Sequence, residues 1–294
     1  MTGPDPTLLR LIGAPHPDLA PLPPAAPLDS GVRLLRGVPY SVPEGGRPLE
    51  LDLWLPESTG GPVPAVLFVH GGAWRRGRRD DMGYRLRSWQ PGPFARIAAA
   101  GIAVAAADYR LSGEAVFPAP LEDLRAALRW LGVRSAELGI DTGRTAVWGE
   151  SAGGHLASLL ALTAEDPAPV GAVVWYGPSD LATPRGAYDP ANPATPEAML
   201  LGAAASALPD LARAASPAFQ VRPGAPAFLL AHGDRDSMVP HSHSEELAAR
   251  LREADVPVEL LTVGGADHVW HGIPEEQVAK VFDHSLRFLR DLFG

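Results

Sequence analysis

The chain of 294 residues carries a formal net charge of −9, is 46% hydrophobic and contains no cysteine. Its length allows one large α/β domain or two small ones, and its hydrophobic share suits a globular chain with a sizeable core. The missing cysteines exclude a disulfide, a thiolate zinc site and a cysteine nucleophile, and the acidic balance argues against nucleic acid or an anionic membrane surface as a general partner.

Residues 1–20 show no basic start followed by an apolar stretch, so no signal peptide is expected, and no segment approaches bilayer-spanning length. The expectation is a cytoplasmic protein without stable membrane association. Residues 1–31 are rich in proline, including Pro15, Pro17, Pro21, Pro23, Pro24 and Pro27, and lack sustained periodicity. They read as an extended arm that lies over the domain or is partly disordered. Residues 33–39 and 49–55 alternate as an antiparallel opening hairpin should. Residues 65–70 and 102–108 are short and almost wholly apolar, which predicts strands covered on both faces.

A helix is predicted over 93–100, and another over 121–138 with Leu121, Leu124, Leu128 and Leu131 at helical spacing. A strand at 145–148, a helix through 155–162 and a buried strand at 170–176 follow. Residues 178–224 interrupt the rhythm with Pro, Ala and Gly. It resumes with a strand at 227–232, a helix at 244–254, a strand at 256–263 and a last helix at 274–292. Such alternation predicts one domain over 32–294. It would be α/β, with a mostly parallel, doubly wound sheet of about eight strands and right-handed crossovers. The 178–224 insertion is then expected above the carboxyl ends of the strands, where open sheets keep their sites, forming a small cap together with the arm.

The chemistry gathers at strand ends. Gly149-Glu150-Ser151-Ala152-Gly153 follows an apolar strand and opens a helix. That context makes Gly-x-Ser-x-Gly a nucleophile elbow, a turn so tight that both flanking positions must be nearly free of side chain. Ser151 is the candidate nucleophile, and the Ala152 amide, at a helix start, faces a developing oxyanion. The strand at 65–70 runs into His70-Gly71-Gly72-Ala73-Trp74, whose glycines let backbone approach a ligand. Gly72 and Ala73 are the further oxyanion donors, and His70 reads as a brace for that loop.

The strand at 227–232 is followed by Asp234 and Asp236, either of which can orient a histidine by spacing alone. The last strand leads to Gly264-Gly265-Ala266-Asp267-His268. His268 is the preferred base over His271, and the order serine, aspartate, histidine follows. His155, His241, His243 and His284 read as helix-surface, loop and core-edge residues. No carboxylate motif supports a metal at His241 and His243, and no cofactor is implied. Arg75, Arg76, Arg78 and Arg79 read as a solvated loop balanced by Asp80 and Asp81, or as a dock for a substrate carboxylate. Trp74, Trp175 and Tyr176, at or beside strand ends, are candidates for lining a substrate pocket.

On these residues, together with Asp108-Tyr109-Arg110-Leu111, Pro118-Ala119 with Asp123, and Val239-Pro240, residues 32–292 resemble the α/β-hydrolase superfamily. The likeness is to its hormone-sensitive-lipase-like and bacterial feruloyl (acetyl-xylan) esterase-like branch. The resemblance implies a serine esterase acting on a small-molecule ester. It also implies that the acid is the aspartate four residues after His232, which selects Asp236. Ala73 departs from the third glycine of many hormone-sensitive-lipase-like members, and Trp74 follows it. That variant also resembles kynurenine formamidases and leaves ester against formamide open. Dimers through the last strand and helix are compatible with the resemblance, and nothing in the residues decides them.

Overall fold

The computed structural model describes residues 16–28, 31–57 and 60–294. Its strands are β1 (Ala26–Pro27), β2 (Arg33–Ser41), β3 (Leu49–Leu55), β4 (Val63–Val69), β5 (Ala103–Ala107), β6 (Ile140–Glu150), β7 (Gly171–Trp175), β8 (Ala227–Gly233) and β9 (Val258–Val263). They form one nine-stranded sheet in the order β1-β2-β3-β5-β4-β6-β7-β8-β9. The opening hairpin is antiparallel, and every pairing from β5 to β9 is parallel. The ninth strand, beyond the eight legible as apolar runs, is the two-residue β1. Its burial pattern is fully exposed, so it leaves no hydrophobic signal.

The principal helices are α1 (Pro93–Ala99), α2 (Ala119–Val133), α3 (Ser135–Leu138), α4 (Ala152–Thr163), α5 (Pro196–Leu201), α6 (Pro209–Ala214), α7 (Ser242–Glu253) and α8 (Glu275–Phe293). Alternation along the strands divides the core. Leu67, Val69, Val147, Val174 and Leu230 face α2, α4 and α7, through residues such as Leu128, Leu156, Leu160 and Leu251. Phe68, Val104, Trp148, Val173 and Leu229 face α1 and α8, through Ile97, Val278 and Phe282. The helix predicted over 121–138 breaks into α2 and α3 at Arg134, whose φ of −95° and ψ of 5° leave the helical region.

Register explains why the chemical residues converge. Ala107 pairs with Val69, Val69 with Gly149, Gly149 with Val174, Val174 with Leu230 and Leu230 with Leu260. This level row of carboxyl ends launches the loops bearing His70, Ser151, Tyr176, Asp236 and His268 from one edge. The insertion between β7 and β8 carries α5, α6 and two 3-10 turns, Ala205–Ala207 and Pro217–Phe219. It is seated at that same end: Phe117 N–H donates to Leu200 O at 2.7 Å and His155 Nε2–H to Ala215 O at 2.6 Å.

The described part of the arm goes elsewhere. Pro17 O accepts from Trp130 Nε1 at 3.1 Å and from Arg134 Nη1 at 2.9 Å, and Arg134 Nη1 also reaches Ala20 O at 3.0 Å. These donors sit where α2 returns the chain to the start of β6, the opposite end of the sheet from Ser151. Residues 16–28 therefore take no part in a cap over the site. The expectation for residues 1–15 lies outside the described residues. Among the described residues, no helix is long and apolar enough to cross a membrane.

Arg134→Met removes the buried donor to Ala20 O and leaves Pro17 O with Trp130 alone, which costs roughly 1–3 kcal/mol. The expected outcome is a lower urea midpoint with an unchanged m-value. An unchanged midpoint means the arm contributes no stability through this contact.

Candidate active site

Ser151 occupies the junction of β6 and α4 at φ 51° and ψ −121°, a left-handed conformation for a residue with a side chain. Glycine is required on both sides. A Cβ on Gly149 would lie 2.1 Å from Gly153 O, and one on Gly153 would lie 2.1 Å from Val69 O. Strain of this kind is of order 1–3 kcal/mol per residue and persists only where surrounding contacts dictate it. Of the seven non-glycine residues with positive φ among the described residues, six are here: Ala73, Trp74, Ser151, Tyr176, Val269 and Trp270.

The structure brings Ser151, His268 and Asp236 into one line. Ser151 Oγ lies 3.0 Å from His268 Nε2, and His268 Nδ1 lies 2.7 Å from Asp236 Oδ2. An ionised carboxylate only accepts, so the imidazole carries its proton on Nδ1 and offers Nε2 to the serine hydroxyl. Asp236 Oδ1 also accepts from the amides of Met238 at 3.0 Å and Val239 at 2.8 Å. Behind it, His232 Nε2–H points between Val239 O at 2.8 Å and Asp236 Oδ2 at 3.2 Å. Burial alone would raise the Asp236 carboxyl. The hydrogen bonds from His232 and His268 outweigh burial and hold it well below the usual carboxylate range.

The alternatives in sequence take other places. Asp234 Oδ1 accepts from Gly265 N at 2.7 Å, bracing the loop that carries His268. His271 is exposed and meets Tyr84 Oη at 3.1 Å. Asp267 accepts from the amides of Ser237 and His268, each at 2.7 Å. From outside, Arg85 donates to Trp270 O at 2.8 Å and Ile273 O at 3.0 Å, clamping the strained Val269-Trp270 turn.

On the other side of Ser151 the loop after β4 turns sharply. Gly72 has φ 114°, and a Cβ there would lie 2.0 Å from Arg76 O. Among the described residues, the amides of Gly72, Ala73 and Ala152 donate to no protein acceptor, as an oxyanion pocket requires. His70 is buried, donates from Nδ1 to Gly71 O at 2.8 Å and stacks on Tyr109 at 4.4 Å. In the basic loop, Arg79 is held by Asp52 at 2.8 Å, Asp108 at 2.5 Å and Glu50 at 2.9 Å, and Arg78 by Asp80 at 2.8 Å. Arg75 and Arg76 are exposed.

The three aromatic residues expected to line a pocket do not share that position. Trp175 follows Val174, so strand alternation turns it to the α8 face. There it is fully buried and donates to Ser285 Oγ at 2.9 Å. Trp74 is 2% exposed, with its indole N–H on His155 Nδ1 at 3.2 Å. Tyr176 is buried but belongs to the site, its ring edge-on to His268 at 4.9 Å.

Two residues carry more than sequence reasoning gave them. Glu150 is buried, and its carboxylate accepts from Gly71 N at 3.2 Å and from Tyr176 Oη at 2.9 Å. It thereby joins the elbow, the loop after β4 and the residue beside His268. Burial pushes its carboxyl up, against the hydrogen bonds from Tyr176 and Gly71. His155, read as helix surface, is fully buried, because the insertion covers the face of α4 that a bare sheet would leave wet. His243 is also buried and accepts from Ser179 N at 3.1 Å, whereas His241 meets Thr262 Oγ1 and His284 meets Glu259.

Residues 51–251 match the BD-FAE family. The esterase LipC of Mycobacterium tuberculosis is 32% identical over 243 residues, covering 74% of this chain and 56% of that protein. The chain spans between 52% and 60% of the length of the first such relatives it matches. Among solved structures, a truncated carbohydrate esterase from gut microbiota superposes with a TM-score of 0.77 at 25% identity, covering 90% of this chain and 98% of that one. A thermophilic esterase of Thermogutta terrifontis superposes with a TM-score of 0.70 at 23% identity, over 90% and 94% of the two chains, and shares the α/β-hydrolase fold.

Asp236→Asn disturbs the imidazole tautomer without emptying the site, and any turnover that runs through Ser151 and His268 should fall by about 10⁴-fold. A loss below tenfold means Asp236 does not orient His268. Glu150 yields a stability test. A carboxyl raised by folding contributes stability below its unfolded pKa of about 4.3 and loses it as pH rises through the folded value. Glu150→Gln should therefore compare better with the parent chain at pH 8 than at pH 5, by urea denaturation. The opposite trend overturns the burial argument.

Proposed function

Because the chain belongs to the BD-FAE family of esterases, we propose that it is a serine carboxylic-ester hydrolase working through an acyl-enzyme intermediate. The single observation that carries this reading is the relay from Ser151 through His268 to Asp236, placed beside three amides free to meet an oxyanion. Ser151 Oγ attacks the ester carbonyl while His268 Nε2 takes its proton. The carbonyl oxygen becomes an oxyanion against the N–H groups of Gly72, Ala73 and Ala152. Its collapse expels the alcohol, which leaves with the proton from His268. Water then attacks the acyl-Ser151, again losing its proton to His268, and collapse returns that proton to Ser151 with release of the acid.

Asp236 holds the imidazole and balances its charge while it is protonated. Metal and cofactor enter none of these steps. Short acyl chains fit this reading, because the Tyr176 ring packs against His268 beside the elbow and the insertion is only 178–224. The likeness to a carbohydrate esterase makes acetylated sugars the first natural esters to try.

Hydrolysis of p-nitrophenyl acetate, butyrate, octanoate and palmitate should fall with chain length. Ser151→Ala should lower kcat by about 10⁶-fold. N-formylkynurenine should turn over far more slowly than the acetate. Absence of ester turnover in the parent chain, or a preference for the formamide, overturns the assignment.

A further inference from the structure

His155 lies one turn beyond Ser151 on α4, and both of its ring nitrogens are occupied. Nδ1 accepts from Trp74 Nε1–H at 3.2 Å, and Nε2–H donates to Ala215 O at 2.6 Å. The pairings require one neutral tautomer, protonated on Nε2. Burial keeps the ring in that form, with its pKa lowered to about 4. Its nitrogens are committed to structural partners, so it has no free lone pair or proton to lend to chemistry.

Its two partners matter because of where they sit. Trp74 follows Ala73, a proposed oxyanion donor, and the two stand consecutively at φ 56° and 55°. Adjacent left-handed residues with side chains do not hold that geometry unaided, since each costs energy that neighbouring contacts must offset. Three contacts hold it: the indole N–H on His155, the edge-on packing of the two rings at 5.0 Å and 84°, and Ser112 N–H on Trp74 O at 2.7 Å. Ala215 caps the end of α6, inside the insertion. A single imidazole on the helix of the nucleophile therefore touches both the oxyanion loop and the cap.

We propose that Trp74 and His155 are positioning residues for the oxyanion pocket. The imidazole fixes the indole, the indole fixes the left-handed pair, and the pair fixes the Ala73 amide against Ser151. The carbonyl of Ala215 sets the ring's tautomer, so a correctly seated cap is part of the same adjustment. This inference rests on the esterase reading above. A parent chain inactive on every ester removes that reading, whereas an active parent with unaffected variants removes only this one.

Two isosteres separate the halves of the bridge. His155→Asn keeps an acceptor near the Nδ1 position for Trp74 and drops the donor to Ala215. His155→Gln keeps a donor near the Nε2 position and drops the acceptor. Trp74→Phe removes the indole N–H while leaving an aromatic ring, and tests the contact without touching α4. On p-nitrophenyl acetate, His155→Gln and Trp74→Phe should lower kcat by roughly 10–100-fold with KM within about threefold of the parent, because misplaced donors cost transition-state rather than ground-state binding. His155→Asn should keep kcat within about threefold. The proposal is overturned if Trp74→Phe keeps the parent kcat in a folded protein, if only KM changes, or if His155→Gln outperforms His155→Asn. It is equally overturned if the losses merely follow the melting temperatures.

Discussion

The site depends on one backbone constraint, the passage of the chain from β6 into α4 through a left-handed Ser151. That turn brings α4 so close to the sheet that its second glycine touches the carbonyl ending β4. The strain is of order 1–3 kcal/mol. Against it stand Leu156, Leu159 and Leu160, all fully buried on the same helix, each contributing about 1.5–3 kcal/mol. Packing therefore outweighs strain, and the elbow stays bent because the helix is buried. The same approach sets the Ala152 amide beside the loop after β4, so Ser151 and the unpaired amides are placed by one event.

Polar wiring then sharpens what the backbone begins. Glu150 binds the loop amide of Gly71 on one oxygen and the Tyr176 hydroxyl on the other, and Tyr176 lies against His268. His232 supports Asp236 from behind, and Arg85 grips the turn beyond His268. The partners come from the ends of β4, β6, β7, β8 and β9. Their convergence follows from the level register of the parallel strands rather than from nearness in sequence.

This division explains what could be read beforehand. The strands between Leu49 and Val263, and the helices between them, announce themselves by apolar runs and helical spacing. The Ser151 elbow and the Gly71-Gly72 turn announce themselves because glycine is the only residue those close contacts admit. Choosing Asp236 over Asp234 took a family resemblance, since both follow the same strand and only the fold shows Asp234 turned toward Gly265. His155 was misread because its burial depends on an insertion some sixty residues away, and a helical wheel sees only neighbours in sequence. Trp175 was misread for a simpler reason. Strand alternation sends it to the far face of the sheet, and being near Ser151 in the sheet does not place it on the side of Ser151. The exposed two-residue β1 carries no hydrophobic pattern to find.

The seat of the 178–224 insertion has one further property. Leu200 and Ala215 meet Phe117 and His155 through main-chain oxygens, whereas Ser179 and Arg185 meet the start of α7 through their side chains. The backbone footing at Leu200 and Ala215 tolerates a change of side chain, and the footing at Ser179 and Arg185 does not. Positions of the segment that make neither kind of contact are therefore free to vary without disturbing the sheet beneath.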